Sequence, residues 1–387
     1  MPTTWADTKR RVGLFLRALC LAVALGVVIG GAAGSMHSSR PFSLVLGALS
    51  GAITSMILTA VIGGIEIFLP QTRLGQALER APFLITFSAK WVVYSGAIVI
   101  ILGNRLGRRL AALILLGPDL AQAIGPRIES VPATLGIALS LLIAFCFNLV
   151  LQLSRLIGQR TLRDIVLGRY HRPRTEERFF LFVDIAGSTP LAERIGPNAV
   201  HRFLSEVFRL ASGPIDDHDG EVYQYVGDEI VITWTVADGC SGSRPAACFF
   251  AIEGALARGA SRFAREYGAV PRLRAALHAG PVIAGEVGGS RRAIVYHGDV
   301  MNTTSRLEQA TRDLDRQFLV SGDALARLAK LDDFSLEDLG LQQLRGRIAT
   351  MHVYAVTAKP STNRQTTMTV ESGPSNHGMQ PPAFGRG

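Results

Sequence analysis

Charge is what this 387-residue chain has least of: only 18% of its residues are charged. A soluble globular chain carries about 25%. Hydrophobic residues make up 48%, which excludes a disordered chain. Cysteine is also scarce. Cys20, Cys146, Cys240 and Cys248 are scattered, so neither a zinc-site spacing nor a disulfide framework can be read. The net charge of +9 is unevenly spread. Residues 1–174 hold 18 Lys/Arg against 6 Asp/Glu, whereas residues 175–357 hold 19 against 24. A nucleic-acid binder concentrates positive charge in a polar domain. Here the positive charge flanks apolar runs and the polar part is acidic, so no nucleic-acid partner is expected.

Those apolar runs point to a membrane. About 20 mostly apolar residues suffice for a transmembrane helix. Four stretches qualify: Leu14 to Gly34, Phe42 to Leu69 with Glu66 inside, Phe83 to Leu102 with Lys90 inside, and Ala133 to Leu153. The first follows Lys9, Arg10 and Arg11 and ends on small residues, like a signal peptide. Its apolar run exceeds the roughly 7–15 residues of a signal core, which favours an uncleaved span. Basic residues before the first span and after the fourth (Arg155, Arg160, Arg163, Arg169) put both ends in the cytoplasm. Arg105, Arg108 and Arg109 disagree with that path, and Leu110–Leu116 is too short to span. Lys90 is expected to snorkel from near a span end. The expected organisation is a transmembrane domain over 1–154, a linker helix over 155–177, a catalytic domain over 178–357 and a disordered polar tail over 358–387. The location that follows is a multi-pass protein of the inner (plasma) membrane, in contact with lipid, with its catalytic domain in the cytoplasm.

The linker carries Leu156, Ile157, Leu162, Ile165 and Val166 at amphipathic spacing, and Pro173 ends it. Beyond it, strand and helix signals alternate. Arg178–Asp184 reads as an apolar strand, and Thr189-Pro190 as a helix cap and first turn. Helices are expected near Ala199–Ala211, Pro245–Tyr267 and Asp299–Arg312. Glu221–Val226 and Glu229–Trp234 form a hairpin around Gly227-Asp228. Arg272–His278 and Val282–Val287 read as two strands separated at Gly280-Pro281, and Met351–Val356 as the last strand. The order implies an α+β domain with a mostly antiparallel sheet of ferredoxin-like kind.

Two carboxylates stand at positions suited to chemistry. Asp184 ends an apolar strand just before a helix start, where free backbone N–H groups favour an anion and a carboxylate holds the accompanying cation. Asp228 sits at a hairpin tip. If the two meet, they can share divalent ions around a phosphoryl centre. Each alone is more often a plain turn residue. Asn302 and Arg306, four apart on one helix, share a face suited to a ribose and a developing charge. Arg345-Gly346-Arg347 reads as a phosphate clamp or a solvated turn.

The strings FVDIAGSTPLAERIG (182–196), YQYVGDEIVITW (223–234), LHAGPVIAGEVG (277–288) and YHGDVMNTTSRLE (296–308) occur in that order. Together they resemble the catalytic domain of class III adenylate/guanylate cyclases. GRYHRPRTEERFFLFVDI (168–185) is similar to the lead-in segment of membrane-bound bacterial members. The resemblance implies a lyase converting a nucleoside triphosphate, foremost ATP to cAMP, into a 3′,5′-cyclic monophosphate and pyrophosphate. It implies two Mg²⁺ per site, with Mn²⁺ able to substitute, held by Asp184, Asp228 and the Ile185 carbonyl. Asn302 would orient the ribose, Arg306 would stabilise the transition state and Arg347 would hold the terminal phosphates. Active sites would form between two chains of a homodimer. The base-reading positions depart from the family: its adenine-reading Lys and Asp/Thr are Gln224 and Val295 here, and neither matches the guanine pair of Glu and Cys. GTP and pyrimidine triphosphates therefore stay open, as does a degenerate nucleotide- or partner-binding module. A diguanylate cyclase is disfavoured, because Val226-Gly227-Asp228-Glu229-Ile230 lacks the Gly-Gly and Phe of that family's hairpin.

Overall fold

The computed structural model describes residues 41–69, 81–103, 133–289, 292–329 and 331–359, with scattered positions between 16 and 35 and between 72 and 78. The expectations for Arg105–Arg109, for Leu110–Leu116 and for the tail from residue 360 lie outside the described residues. So do Lys9–Arg11 and part of the first apolar stretch.

The N-terminal part is helical: α1 (Pro41–Phe68), α2 (Phe83–Gly103) and α3 (Ala133–Ile157). Among the described residues, two segments are long and apolar enough to cross a membrane, Gly47–Glu66 and Phe83–Ile100. Of the other two expected spans, Ala22–Ala32 and Ser140–Ser154 are shorter apolar helices. Large side chains such as Leu84, Val92 and Ile100 face outward. Polar ones turn inward instead. The Lys90 Nζ lies 2.6 Å from Glu66 Oε1, and the Tyr94 hydroxyl also donates to that oxygen. Asn148 of α3 donates to the Phe87 carbonyl at 3.2 Å. Lys90 is therefore not a snorkelling residue: it is buried, because Glu66 supplies an anion inside the helix packing.

The helix leaving α3 does not run on. Gly158, at φ 90°, breaks it, and α4 (Gln159–Val166) sets off in a new direction. This short helix touches the following domain: Arg160 lies 3.5 Å from both Asp219 and Asp238. Its apolar residues Ile165 and Val166 stay exposed.

Besides a few helical turns of three to five residues, the elements that follow are β1 (Arg174–Ile185), α5 (Ser188–Ile195), α6 (Pro197–Asp217), β2 (Glu221–Val226), β3 (Glu229–Thr235), α7 (Arg244–Tyr267), β4 (Leu273–Val287), β5 (Ala293–His297), α8 (Asp299–Asp313), β6 (Phe318–Ser321), β7 (Phe334–Gln342) and β8 (Met351–Ala358). The strands form one sheet in the order β2-β3-β1-β4-β6-β8-β7, with β5 also paired to β4. All pairings are antiparallel except β4 with β6.

Both faces of the sheet are covered, so β1 is a continuous apolar run rather than an alternating one. Phe179, Leu181, Val183 and Ile185 face α6 and α7, whose Phe203, Val207, Ala211, Phe249, Ile252 and Phe263 complete the main core. Phe180 and Phe182 face the other way, with Tyr296 and Val300. The period of two puts Asp184 on this second face.

Two local expectations are corrected. The helix expected to cap on Thr189 begins at Ser188, with Gly187 at the cap. Pro190 still falls in the first turn, where a missing N–H costs no helical bond. The two strands expected around Gly280-Pro281 are one strand, β4. On its far edge, pairing with β6 ends at Leu277 and pairing with β5 starts at Ile283, so Pro281 interrupts no ladder there. Gly280 is needed because a Cβ there would meet Val300 Cγ2 of α8 at 2.8 Å. Tyr296 at the end of β5 is buried under the Arg178 guanidinium, 4.5 Å from its ring centroid.

Candidate active site

Strand register brings the two carboxylates together. On β1 and β3, Asp184 lies opposite Glu229, the residue after Asp228. Asp228 occupies the β2–β3 turn and accepts a hydrogen bond from the Ser188 hydroxyl at the start of α5. Asp184 is buried, and its Oδ2 lies 2.9 Å from Nη2 of Arg312 in the last turn of α8. The side chain of Ile185 is buried in the main core.

Two further acids crowd this end of the sheet, Glu229 and the buried Glu308 of α8. Burial raises the Asp184 carboxyl, the Asp228 charge adds to that, and Arg312 opposes it. Glu229 is pushed to about 7 by burial and by Glu308, Asp184 and Asp228. Glu308 is raised by burial and Asp184, against Arg312 and Arg274. One oxygen of Glu308, Oε1, is buried without a hydrogen-bond partner.

Carboxylate oxygens are hard donors suited to Mg²⁺, and a crowded anionic pair gains from a dication. No set of three or more His, Cys, Asp or Glu residues converges on a metal position among the described residues. The pair therefore fits an ion that keeps waters or substrate oxygens as its other ligands.

The second group of residues lies along α8. That helix buries Val300, Thr303, Thr304, Leu307, Glu308 and Thr311, one stripe at helical spacing. Asn302 and Arg306 lie off the stripe; Asn302 is exposed. Arg306 Nη1 donates to the Gly346 carbonyl at 3.0 Å. Arg347 is engaged by the start of α8: Nη2 is 2.9 Å from Asp299 Oδ2, and Nη1 donates to the Thr303 hydroxyl. A cavity of about 430 Å³ opens beside it, lined by Arg306, Gln309, Arg312, Gln342 and Arg345 among others. Of the two arginines in that turn, Arg345 lines the cavity. The Arg-Gly-Arg spacing flagged both residues, but which one turns to the cavity depends on the turn.

Asn302 stands away from the carboxylates along α8. Asn302 and Arg312 are ten residues apart, about 15 Å along the helix axis. Asp184 is held at the Arg312 end. Gln224 is exposed on β2, and Val295 half-buried on β5. Their neighbours Tyr223 and Tyr296 pack at 5.1 Å between ring centroids, and strand alternation turns Val295 away from that contact, whereas a bulge between Val222 and Gln224 breaks the alternation on β2. Glu229, Glu308, Arg312 and Ser188 were not singled out from the sequence. Only Glu229 had a visible signal, as the direct neighbour of Asp228.

Residues 171–358 match the adenylate and guanylate cyclase catalytic domain family. A protein of Rhizobium meliloti named adenylate cyclase 2 is 41% identical over 209 residues, 54% of this chain and 58% of that protein. Adenylate cyclase 1 of the same organism is 32% identical over 46% of this chain and 27% of its own length. The chain thus spans little more than half, or less, of these relatives. Among solved structures, an adenylyl cyclase from P. aeruginosa is similar over 49% of this chain and 98% of its own, at 18% identity and a TM-score of 0.43.

Proposed function

Taking residues 171–358 as an adenylate and guanylate cyclase catalytic domain, we propose that this chain is a membrane-anchored nucleotide cyclase. It converts a nucleoside triphosphate, ATP foremost, into the 3′,5′-cyclic monophosphate and pyrophosphate. The observation that carries this reading is the meeting of Asp184 and Asp228 at one end of the sheet, set by the β1–β3 register. ATP is favoured because the relatives at 41% and 32% identity are both named adenylate cyclases.

Asp184 and Asp228 would hold two Mg²⁺, with Mn²⁺ able to substitute, and the Ile185 carbonyl would join them. The bound ions would supply charge neutralisation at the attacking and leaving oxygens. Ser188 fixes the Asp228 carboxylate by its hydrogen bond. Asn302 orients the ribose, and Arg306 meets the charge that develops at the α-phosphate. Arg345 and Arg306 give the cavity beside α8 the positive charge that terminal phosphates need. Arg347 supports the same loop through Asp299 and Thr303. Gln224, which can donate and accept, reads the base edge, while Val295 packs against it.

The distance of Asn302 from Arg312 along α8 supports a homodimer. One chain supplies the carboxylates, and its partner supplies Asn302 and Arg306, so that two-fold symmetry yields two equal sites. The apolar helices α1 and α2, with the two shorter apolar segments, form a multi-pass anchor that holds the domain on the cytoplasmic side.

The test is to supply each of the four nucleoside triphosphates with Mg²⁺ or Mn²⁺ to the purified full chain and identify products by mass. Cyclic AMP is expected, and Asp184→Asn or Asp228→Asn is expected to lower its rate more than about 100-fold with the near-UV spectrum unchanged. No cyclic product from any triphosphate would leave a nucleotide-binding module.

A further inference from the structure

We propose that Arg312 is a tethered cation at the metal centre: it holds Asp184 when no divalent ion is bound, competes with the ion for that carboxylate, and has Glu308 as its alternative partner. This rests on the reading of Asp184 and Asp228 as the metal-binding pair.

The geometry is asymmetric. Asp184 and Glu308 are 6% and 5% exposed. The Arg312 side chain is 56% exposed. The anions are fixed, and the cation stands half in water on a flexible stem. Its Nη2 is 2.9 Å from Asp184 Oδ2 and 3.7 Å from Glu308 Oε1, the oxygen without a hydrogen-bond partner. Glu308 lies one turn back on the same helix, so the guanidinium reaches it by a side-chain rotation alone. A buried carboxylate oxygen left without a hydrogen bond is costly. It becomes useful if Arg312 turns to it whenever Asp184 is taken by an ion. The remaining charged groups facing this point are Asp228 and Glu229 from the β2–β3 hairpin and Arg274 from β4.

Removing the guanidinium has two effects of the same sign on ion binding. It ends the competition for Asp184, and it removes a positive charge beside an incoming dication. A merely structural Arg312 predicts the opposite, since loss of a support would loosen the carboxylates and weaken the ion.

The test titrates Mn²⁺ into the full chain in detergent micelles, reading free Mn²⁺ by electron paramagnetic resonance, with melting in a chelator as the second readout. Arg312→Gln is expected to bind Mn²⁺ about fivefold more tightly and to melt lower without metal, as befits one partly exposed charge pair. Arg312→Lys keeps the charge and should stay near wild type. Glu308→Gln leaves Arg312 with Asp184 alone and should weaken Mn²⁺ about twofold to fivefold. Unchanged or weaker Mn²⁺ binding in Arg312→Gln, with Asp184→Asn still abolishing it, overturns this inference alone. Mn²⁺ binding that survives Asp184→Asn overturns the metal-pair reading, and this inference with it.

Discussion

Replacing Glu229 by Gln should stabilise the domain that follows α4 above neutral pH and leave it unchanged in mild acid. Glu229 stands opposite Asp184, one residue from Asp228, and its carboxyl is pushed from 4.5 to about 7 by burial and by Glu308, Asp184 and Asp228. A raised carboxyl means that the folded chain keeps a proton the unfolded chain has released. Stability therefore falls as pH rises from about 4.5 to about 7, and the loss is complete above that window. For a fully buried group the loss would be about 3 kcal/mol. Glu229 is only half-buried, so solvent screening reduces it to about 1–2 kcal/mol. Gln has the same shape and no charge, so it removes that penalty. The assay is urea unfolding of the full chain in detergent with a chelator, at pH 4.5, 6 and 8. Trp234 reports on the domain: it is fully buried, and its indole donates to the His218 carbonyl at 2.9 Å. The variant should match wild type at pH 4.5 and exceed it by about 1–2 kcal/mol at pH 8. Added Mg²⁺ should narrow the gap, since an ion between the carboxylates relieves the same repulsion. An equal gain at all three pH values, or a loss at pH 8, would refute the electrostatic account.

Other substitutions probe the surrounding frame. The buried Arg178 guanidinium binds Glu221 at 2.8 Å, Glu176 at 3.2 Å and Thr233 at 3.1 Å. Arg178→Met strands both acids and should cost about 3–5 kcal/mol, read by the same unfolding assay, with Glu221→Gln restoring part of it. Gly280→Ala forces a Cβ against Val300 Cγ2 at 2.8 Å and should cost about 1–3 kcal/mol by displacing α8. Mixing inactive Asp184→Asn chains with inactive Asn302→Ala chains should restore about a quarter of wild-type sites, because half the dimers are mixed and each holds one intact site. No recovery on mixing would mean that both groups act within one chain.

The chain's order of apolar runs and alternating elements was legible without coordinates. Both spans long enough to cross a membrane, the β2–β3 hairpin and helices α6, α7 and α8 follow from local periodicity and turn chemistry. The β4 strand was not, because Gly280-Pro281 reads as a break. Only the sheet shows that the far edge lacks a partner there. Lys90 reads as a surface-seeking charge until Glu66, 24 positions earlier, is found 2.6 Å away.

At the candidate site the division is the same. Residue types and turn positions marked Asp184, Asp228, Asn302 and Arg306, since carboxylates at strand ends and a polar pair at helical spacing are local patterns. Strand register decided that Asp184 meets Asp228. Helix rise decided that Asn302 stays about 15 Å along α8 from the end that holds Asp184. Packing of α8 against the sheet decided that Glu308 and Arg312 join the carboxylates, and the turn at Gly346 decided that Arg345 rather than Arg347 faces the cavity. Local chemistry is written in neighbouring residues. Which charges share a buried space depends on contacts between residues more than 100 positions apart, as with Asp184 and Arg312, and those exist only once the sheet has formed.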